Sequence, residues 1–160
     1  MAEDRDWVPG SVIESLTIAA SGAAVMIGSL MTWGRIKPFA IAPGQDPNEF
    51  IPFRGLETND GVITLVLGGL LIGISLLARN HPTPILKIGG LGLSAWSAGV
   101  AMANIDRLLP DSRLGGADAV YNPRPGAGLT LILIAAVGAT FFSFVWLKRS
   151  LSTKRLVSTS

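Results

Sequence analysis

Four long stretches of the chain are almost free of charged side chains, and short polar segments rich in proline separate them. The first runs from Val12 to Trp33, the second from Gly61 to Ala78 and the fourth from Gly126 to Leu147. The third covers Ile88 to Asn104 and extends to about residues 85–105 if Lys87 snorkels to an interface. A helix rises about 1.5 Å per residue, so roughly 20 apolar residues cross the ~30 Å hydrocarbon layer of a bilayer. One buried apolar helix is ordinary in a soluble protein. Four in 160 residues leave too little polar chain to cover them. The pattern therefore predicts an all-α integral membrane protein. It would be one membrane domain over residues 1–160, an antiparallel four-transmembrane-helix bundle with spans at about 12–33, 61–78, 85–105 and 126–147.

Proline placement agrees with that division. All 10 prolines lie outside the four runs, as expected of a residue that lacks a donor and clashes with the preceding turn. Asn59 or Asp60 is the expected N-cap of the second span. The segment Met1-Ala2-Glu3-Asp4-Arg5-Asp6 is acidic where a secretory signal carries positive charge, so the first run is read as a retained span.

Composition narrows the function classes. Charged residues are 15% of the chain, against ~25% in soluble domains, and the mean hydropathy is +0.48. A net charge of +2 provides no polybasic face for nucleic acid. The absence of cysteine removes disulfides, thiolate metal sites and cysteine nucleophiles. With one histidine, His81, no tetrahedral nitrogen/sulfur metal site can be built. No nucleophile elbow, no phosphate-cradling glycine loop in a strand–turn–helix context and no D-x-[DN]-x-[DN]-G calcium loop is present, so no catalytic residue, cofactor or metal is expected, a carboxylate site for Mg2+ or Ca2+ staying open.

Charge also orients the bundle. Arg5, Arg79, Lys87, Lys148, Arg149, Lys154 and Arg155 fall on the side of the termini. Arg35, Lys37, Arg54, Arg107, Arg113 and Arg124 fall on the other side, spread over longer loops. The positive-inside rule then places both termini in the cytoplasm of a plasma-membrane protein. Trp33 and Trp146, at span ends, suit the aromatic belts of the interface, and mid-span Trp96 suits packing. The outer loops are Gly34–Asp60 and Asp106–Pro125. In the first, residues 35–42 and 49–54 flank a centre of turn residues and could pair as a small β-hairpin, with Pro38 and Pro52 confined to edges or bulges. An irregular loop on the bilayer surface satisfies the same residues.

Each span carries a stripe of small residues at four-residue spacing: Ala20, Ala24 and Gly28; Gly69 and Gly73; Gly90, Ser94 and Ala98; Ala135, Ala139 and Ser143. Small residues let helix backbones approach closely in lipid. Packing inside the bundle is the plainer use of these stripes, and receiving a helix of another subunit is the functional one. Glu14 is the one ionisable residue within the unextended runs. An ionisable group in a span is a functional candidate, and small proton-coupled exporters use one. Its place two residues past Val12 favours anchoring at the interface, where it can reach water and where a helix N-terminus favours a carboxylate.

Three segments together resemble a group of small bacterial four-span membrane proteins of unassigned function. They are Thr32-Trp33 closing the first span, Arg54-Gly55-Leu56 to Asp60-Gly61 opening the second, and Pro125-Gly126-Ala127-Gly128-Leu129 opening the fourth. The layout is also similar to that of claudins but lacks their paired loop cysteines. The resemblance implies a plasma-membrane location and brings no activity with it. The expected function is that of a non-catalytic accessory or assembly subunit of a larger membrane protein complex. Its partners would be the lipid bilayer and other integral membrane subunits. The rivals are a small oligomeric transporter or channel and, less favoured, a lipid-active enzyme using loop carboxylates.

Overall fold

A computed structural model describes residues 9–36, 50–80, 83–108 and 124–158. Helix α1 (Pro9–Leu30) leads into strand β1 (Thr32–Ile36). Strand β2 (Ile51–Arg54) runs through a 3-10 turn (Gly55–Glu57) into α2 (Asn59–Asn80). Then follow α3 (Pro84–Leu108), the two-residue strand β3 (Arg124–Pro125) and α4 (Ala127–Ser158). All four helices are long and apolar enough to cross a membrane. Pro9 and Pro84 open their helices, where a missing N–H costs nothing.

The helices form an antiparallel bundle in which each packs against its neighbours in sequence and α4 closes back on α1. On α1, Ser15 Oγ donates to Ser75 O at 2.7 Å near one end, and Ser29 Oγ meets Thr64 Oγ1 at 2.8 Å near the other. Such cross-helix hydroxyl bonds stabilise contacts for which lipid offers no alternative partner. Two reciprocal glycine crossings bring α1 close to both neighbours. A Cβ on Gly68 would lie 2.7 Å from Gly22 O, and one on Gly22 would lie 2.8 Å from Gly68 O. Gly28 and Gly128 stand in the same relation between α1 and α4, at 2.9 and 2.6 Å. No side chain larger than hydrogen fits at either crossing without moving backbone.

Two apolar clusters fill the bundle. Val25, Trp33, Ala101, Leu129, Ile132 and Ala136 occupy the half near the strands, and Ile18, Leu71, Ala78 and Trp146 the half near the termini. Ile13, Ile27, Val66, Ile88, Ile134 and Phe144 point outward and are exposed, as lipid-facing positions would be.

Several elements differ from the sequence reading. The first span ends at Leu30, three residues early, because the chain turns into β1 at Thr32. The second and third helices run longer at both ends, and α4 continues past Leu147 to Ser158. The strands form a three-stranded antiparallel sheet in the order β2-β1-β3. β1 thus spans Thr32–Ile36 rather than beginning at Arg35, and Pro52 and Pro125 sit in edge strands, where no donor is required. Residues 37–49 and 109–123, with His81 and Pro82, lie outside the described residues.

The tryptophans are also redistributed. Trp33 is 1% exposed and Trp146 5%, so both belong to the core and not to an aromatic belt. Trp96 is 64% exposed and faces away from the bundle it was expected to pack. The N-cap of α2 is Thr58, whose Oγ1 accepts from the Gly61 N–H at 3.1 Å and donates to Gly55 O. Asp60 instead reaches across to α3.

Candidate functional site

The end of the bundle that carries the sheet is organised around one indole. After Leu30 the chain leaves α1, and the Trp33 side chain folds back over the last turn. Its Nε1–H donates to Gly28 O at 3.0 Å, a helix-end carbonyl that also accepts from the Met31 N–H at 3.2 Å. The ring is enclosed by backbone. A Cβ on Gly55 would collide with the indole and with Ser29 O, and one on Gly61 would collide with Gly55 O. Gly128 stands 3.0 Å from the ring by the same measure, and the Gly126 N–H donates to Trp33 O at 2.6 Å. The segments Thr32-Trp33, Arg54–Gly61 and Pro125–Leu129, far apart in sequence, therefore meet on one side chain.

Beside this hub the sheet borders a groove of about 690 Å³, lined by Leu30, Met31, Arg35, Arg54, Pro125 and Ala127 among others. Arg35 and Arg54 are both exposed. Pairing places Pro52 opposite Arg35, and Arg54 lies two residues further along β2. Successive residues alternate faces, so Arg54 shares the face of Arg35. Among the described residues neither guanidinium forms an ion pair and no acid lines the groove. Glu57 directs its carboxylate to the Arg54 backbone N–H at 3.1 Å. The groove thus combines cationic donors with an apolar wall.

A second, shallower groove of about 460 Å³ lies between α2 and α3, with Trp96, Gly99, Asn104 and Arg107 on α3 and Asp60 on α2. Asp60 Oδ2 accepts from Asn104 Nδ2 at 2.9 Å and from Arg107 at 3.2 Å. Asn104 also donates to Val100 O. These bonds tie α2 to α3, whose packing is the sparsest of the four adjoining pairs.

At the opposite end Glu14 is 6% exposed and accepts from Arg149 at 2.6 Å. It is therefore held between α1 and α4 and does not reach out to water as an interfacial anchor. Lys87 is likewise buried, with Nζ 4.7 Å from the Trp146 ring centroid. Its cation rests on an aromatic face inside the bundle instead of snorkelling outward.

The small-residue stripes divide. Gly28, Ala135, Ala139 and Ser143 are buried in the bundle, and Ala24 is half-buried against the core. Ser143 Oγ is the one buried side-chain oxygen without a hydrogen-bond partner among the described residues. Ala20 is exposed. Gly69 and Gly73 face outward with nothing within 4 Å of a built Cβ, so the seam with α1 uses Gly68, the adjacent glycine. Sequence reasoning passed over Gly22, Gly68 and Gly128 as packing residues and passed over the pair Arg35 and Arg54. The available signal was the clustering of glycines beside Trp33, Arg54 and Pro125. No group of three or more metal-ligating side chains occurs among the described residues. No protein-family model, no curated protein and no solved structure matches the chain.

Proposed function

We propose that the chain is a non-catalytic integral protein of the plasma membrane, with cytoplasmic termini, acting as an accessory or assembly subunit of a larger membrane protein complex. The observation that supports this reading is the situation of α3. It has the lowest mean hydropathy of the four candidate spans, yet the bundle buries only 28% of it, against 39% of each other span. A helix left open to lipid should be the more apolar one. The outward side of α3 carries Trp96, with Gly92 and Gly99 one turn away on either side and open space where each Cβ would be. A helix of another subunit laid on this side would cover the less apolar surface and could approach closely at the glycines. A transporter or channel needs a polar path. Against it, the Ser94, Ser97 and Thr140 hydroxyls donate to carbonyls of their own helices, and Glu14 is paired.

The test is purification in mild detergent followed by native mass spectrometry of wild type, Gly92→Leu and Gly99→Leu. Wild type should carry different chains. The variants should keep normal membrane abundance, because no internal neighbour is displaced, and should lose those chains. Recovery of wild type only with copies of itself would favour the oligomeric transporter. Loss of the variant proteins themselves would assign the α3 glycines to internal packing.

A further inference from the structure

We infer that the arginine-lined groove at the sheet end is a binding site for the headgroup of an anionic phospholipid. Arg35 and Arg54 share one face of the sheet, and Arg124 holds the register position opposite Arg35 on the other neighbouring strand. Two planar guanidiniums facing one groove suit a phosphate diester, which accepts paired N–H bonds in plane. The contrast with Arg107 is informative. That arginine, at the same end, is matched by Asp60 within the chain, whereas the groove has two exposed guanidiniums and, among the described residues, no lining acid. Any ligand satisfying them must bring the negative charge.

The apolar wall selects the source of that charge. Leu30 and Met31 line the groove and are 50% and 38% exposed. One turn further from the sheet, Ile27 continues the same side of α1, and Ile134 lies two turns along α4 from groove-lining Ala127. An apolar track thus leaves the cationic end and runs along the bundle. Inorganic phosphate would use only the polar end, whereas a phospholipid uses both. Basic pockets between transmembrane helices are known to hold anionic headgroups. The inference rests on the helices crossing a bilayer and is independent of the accessory role.

The test uses the full-length protein in phosphatidylcholine nanodiscs with a minor fraction of phosphatidylglycerol, the lipids retained on the protein being counted by native mass spectrometry. Phosphatidylglycerol should be retained in preference. Arg35→Gln and Arg54→Gln should each cut the preference about fivefold, and Arg107→Gln should leave it intact. Equal retention of the two lipids, or an equal loss in Arg107→Gln, overturns the site in favour of undirected surface charge. Inorganic phosphate at matched ionic strength should not displace the lipid; if it does, the ligand is a free anion and the lipid assignment fails. Photoreactive phosphatidylglycerol on wild-type protein gives a readout independent of variant folding. Labels within 30–35 and 125–127 are expected, and labels confined elsewhere refute the site. A chain that does not enter the nanodisc refutes the membrane reading as well, whereas one that enters without lipid preference refutes this inference alone.

Discussion

Gly68 and Gly69 are adjacent, chemically identical and placed in opposite surroundings, so an alanine at each tests the helix seam against an internal control. In an exposed helix Gly→Ala stabilises by about 1 kcal/mol through backbone entropy, and Gly69→Ala should show that gain or a neutral result, since nothing lies within 4 Å of its Cβ. At Gly68 the new methyl would sit 2.7 Å from Gly22 O, 2.7 Å from Met26 Cγ and 3.1 Å from the Met26 backbone nitrogen. Met26 Cγ, bonded to Cβ, can yield only by a change at χ1; the backbone atoms cannot yield without moving a helix. Restoring an ordinary contact of about 3.4 Å requires α1 and α2 to separate by about 0.7 Å, and a radial gap of about that size forfeits a quarter to a half of each dispersion well along the seam. Overpacking of this kind costs about 1–3 kcal/mol. After the propensity gain, Gly68→Ala should be about 0–2 kcal/mol less stable than wild type and about 1–3 kcal/mol below Gly69→Ala. Reversible unfolding by SDS titration from mixed micelles, followed by fluorescence of buried Trp33 and Trp146, measures both. Equal losses in the two variants, or a gain in Gly68→Ala, would refute the close crossing of α1 and α2.

Trp33→Phe keeps much of the ring's packing but removes the donor to Gly28 O, and in the same titration it should cost about 1 kcal/mol, with Trp33→Ala at about 3–5 kcal/mol. Glu14→Gln should lower stability only slightly and leave any substrate-dependent proton flux in vesicles intact, whereas complete loss of such flux would promote the transporter reading. Arg149→Gln should cost more than Glu14→Gln, because it removes the charged partner of a carboxylate that is 8% exposed while Arg149 itself is 67% exposed; the reverse order would contradict the burial of Glu14. Cysteines introduced singly at Gln45, Ser112 and Ser158 test the orientation, an impermeant thiol reagent on intact cells being expected to label the first two only.

The helices were legible because hydropathy and proline placement act along the chain and need no knowledge of neighbours. The faces of those helices were not. Leu65 to Ile74 is apolar on every side, so within it no periodicity distinguishes the Gly68 side from the Gly69 side, and the regular G-x-x-x-G spacing points to the outward pair. Trp33 was misplaced for a related reason. An indole at the end of an apolar run suits an interface equally well, and only the glycines at 55, 61 and 128, brought in from other segments, make room to bury it. Glu14 and Lys87 were assigned to the interface by their distance from span ends, whereas their burial follows from α4 supplying Arg149 and Trp146 at the same level. The Arg35–Arg54 groove is not legible in the sequence because the two residues come together through a strand pairing whose register cannot be read from alternation in so short a sheet.

The order β2-β1-β3 has a consequence for biogenesis. β1 is the first strand to leave the ribosome and the central one in the sheet, and its second edge has no partner until residues 124–125 are made. Roughly 70 residues, from Arg54 to Arg124, must be synthesised in that interval. The enclosure of Trp33 is delayed equally, since Gly126 directly precedes the last helix and Gly128 lies in its first turn. Up to that point the nascent chain holds an incomplete sheet and an indole open on one side, and addition of α4 completes both at once. A chain cut short before residue 126 would keep three apolar helices but display those unfinished surfaces, giving quality-control proteases a physical basis for distinguishing it from the full-length protein.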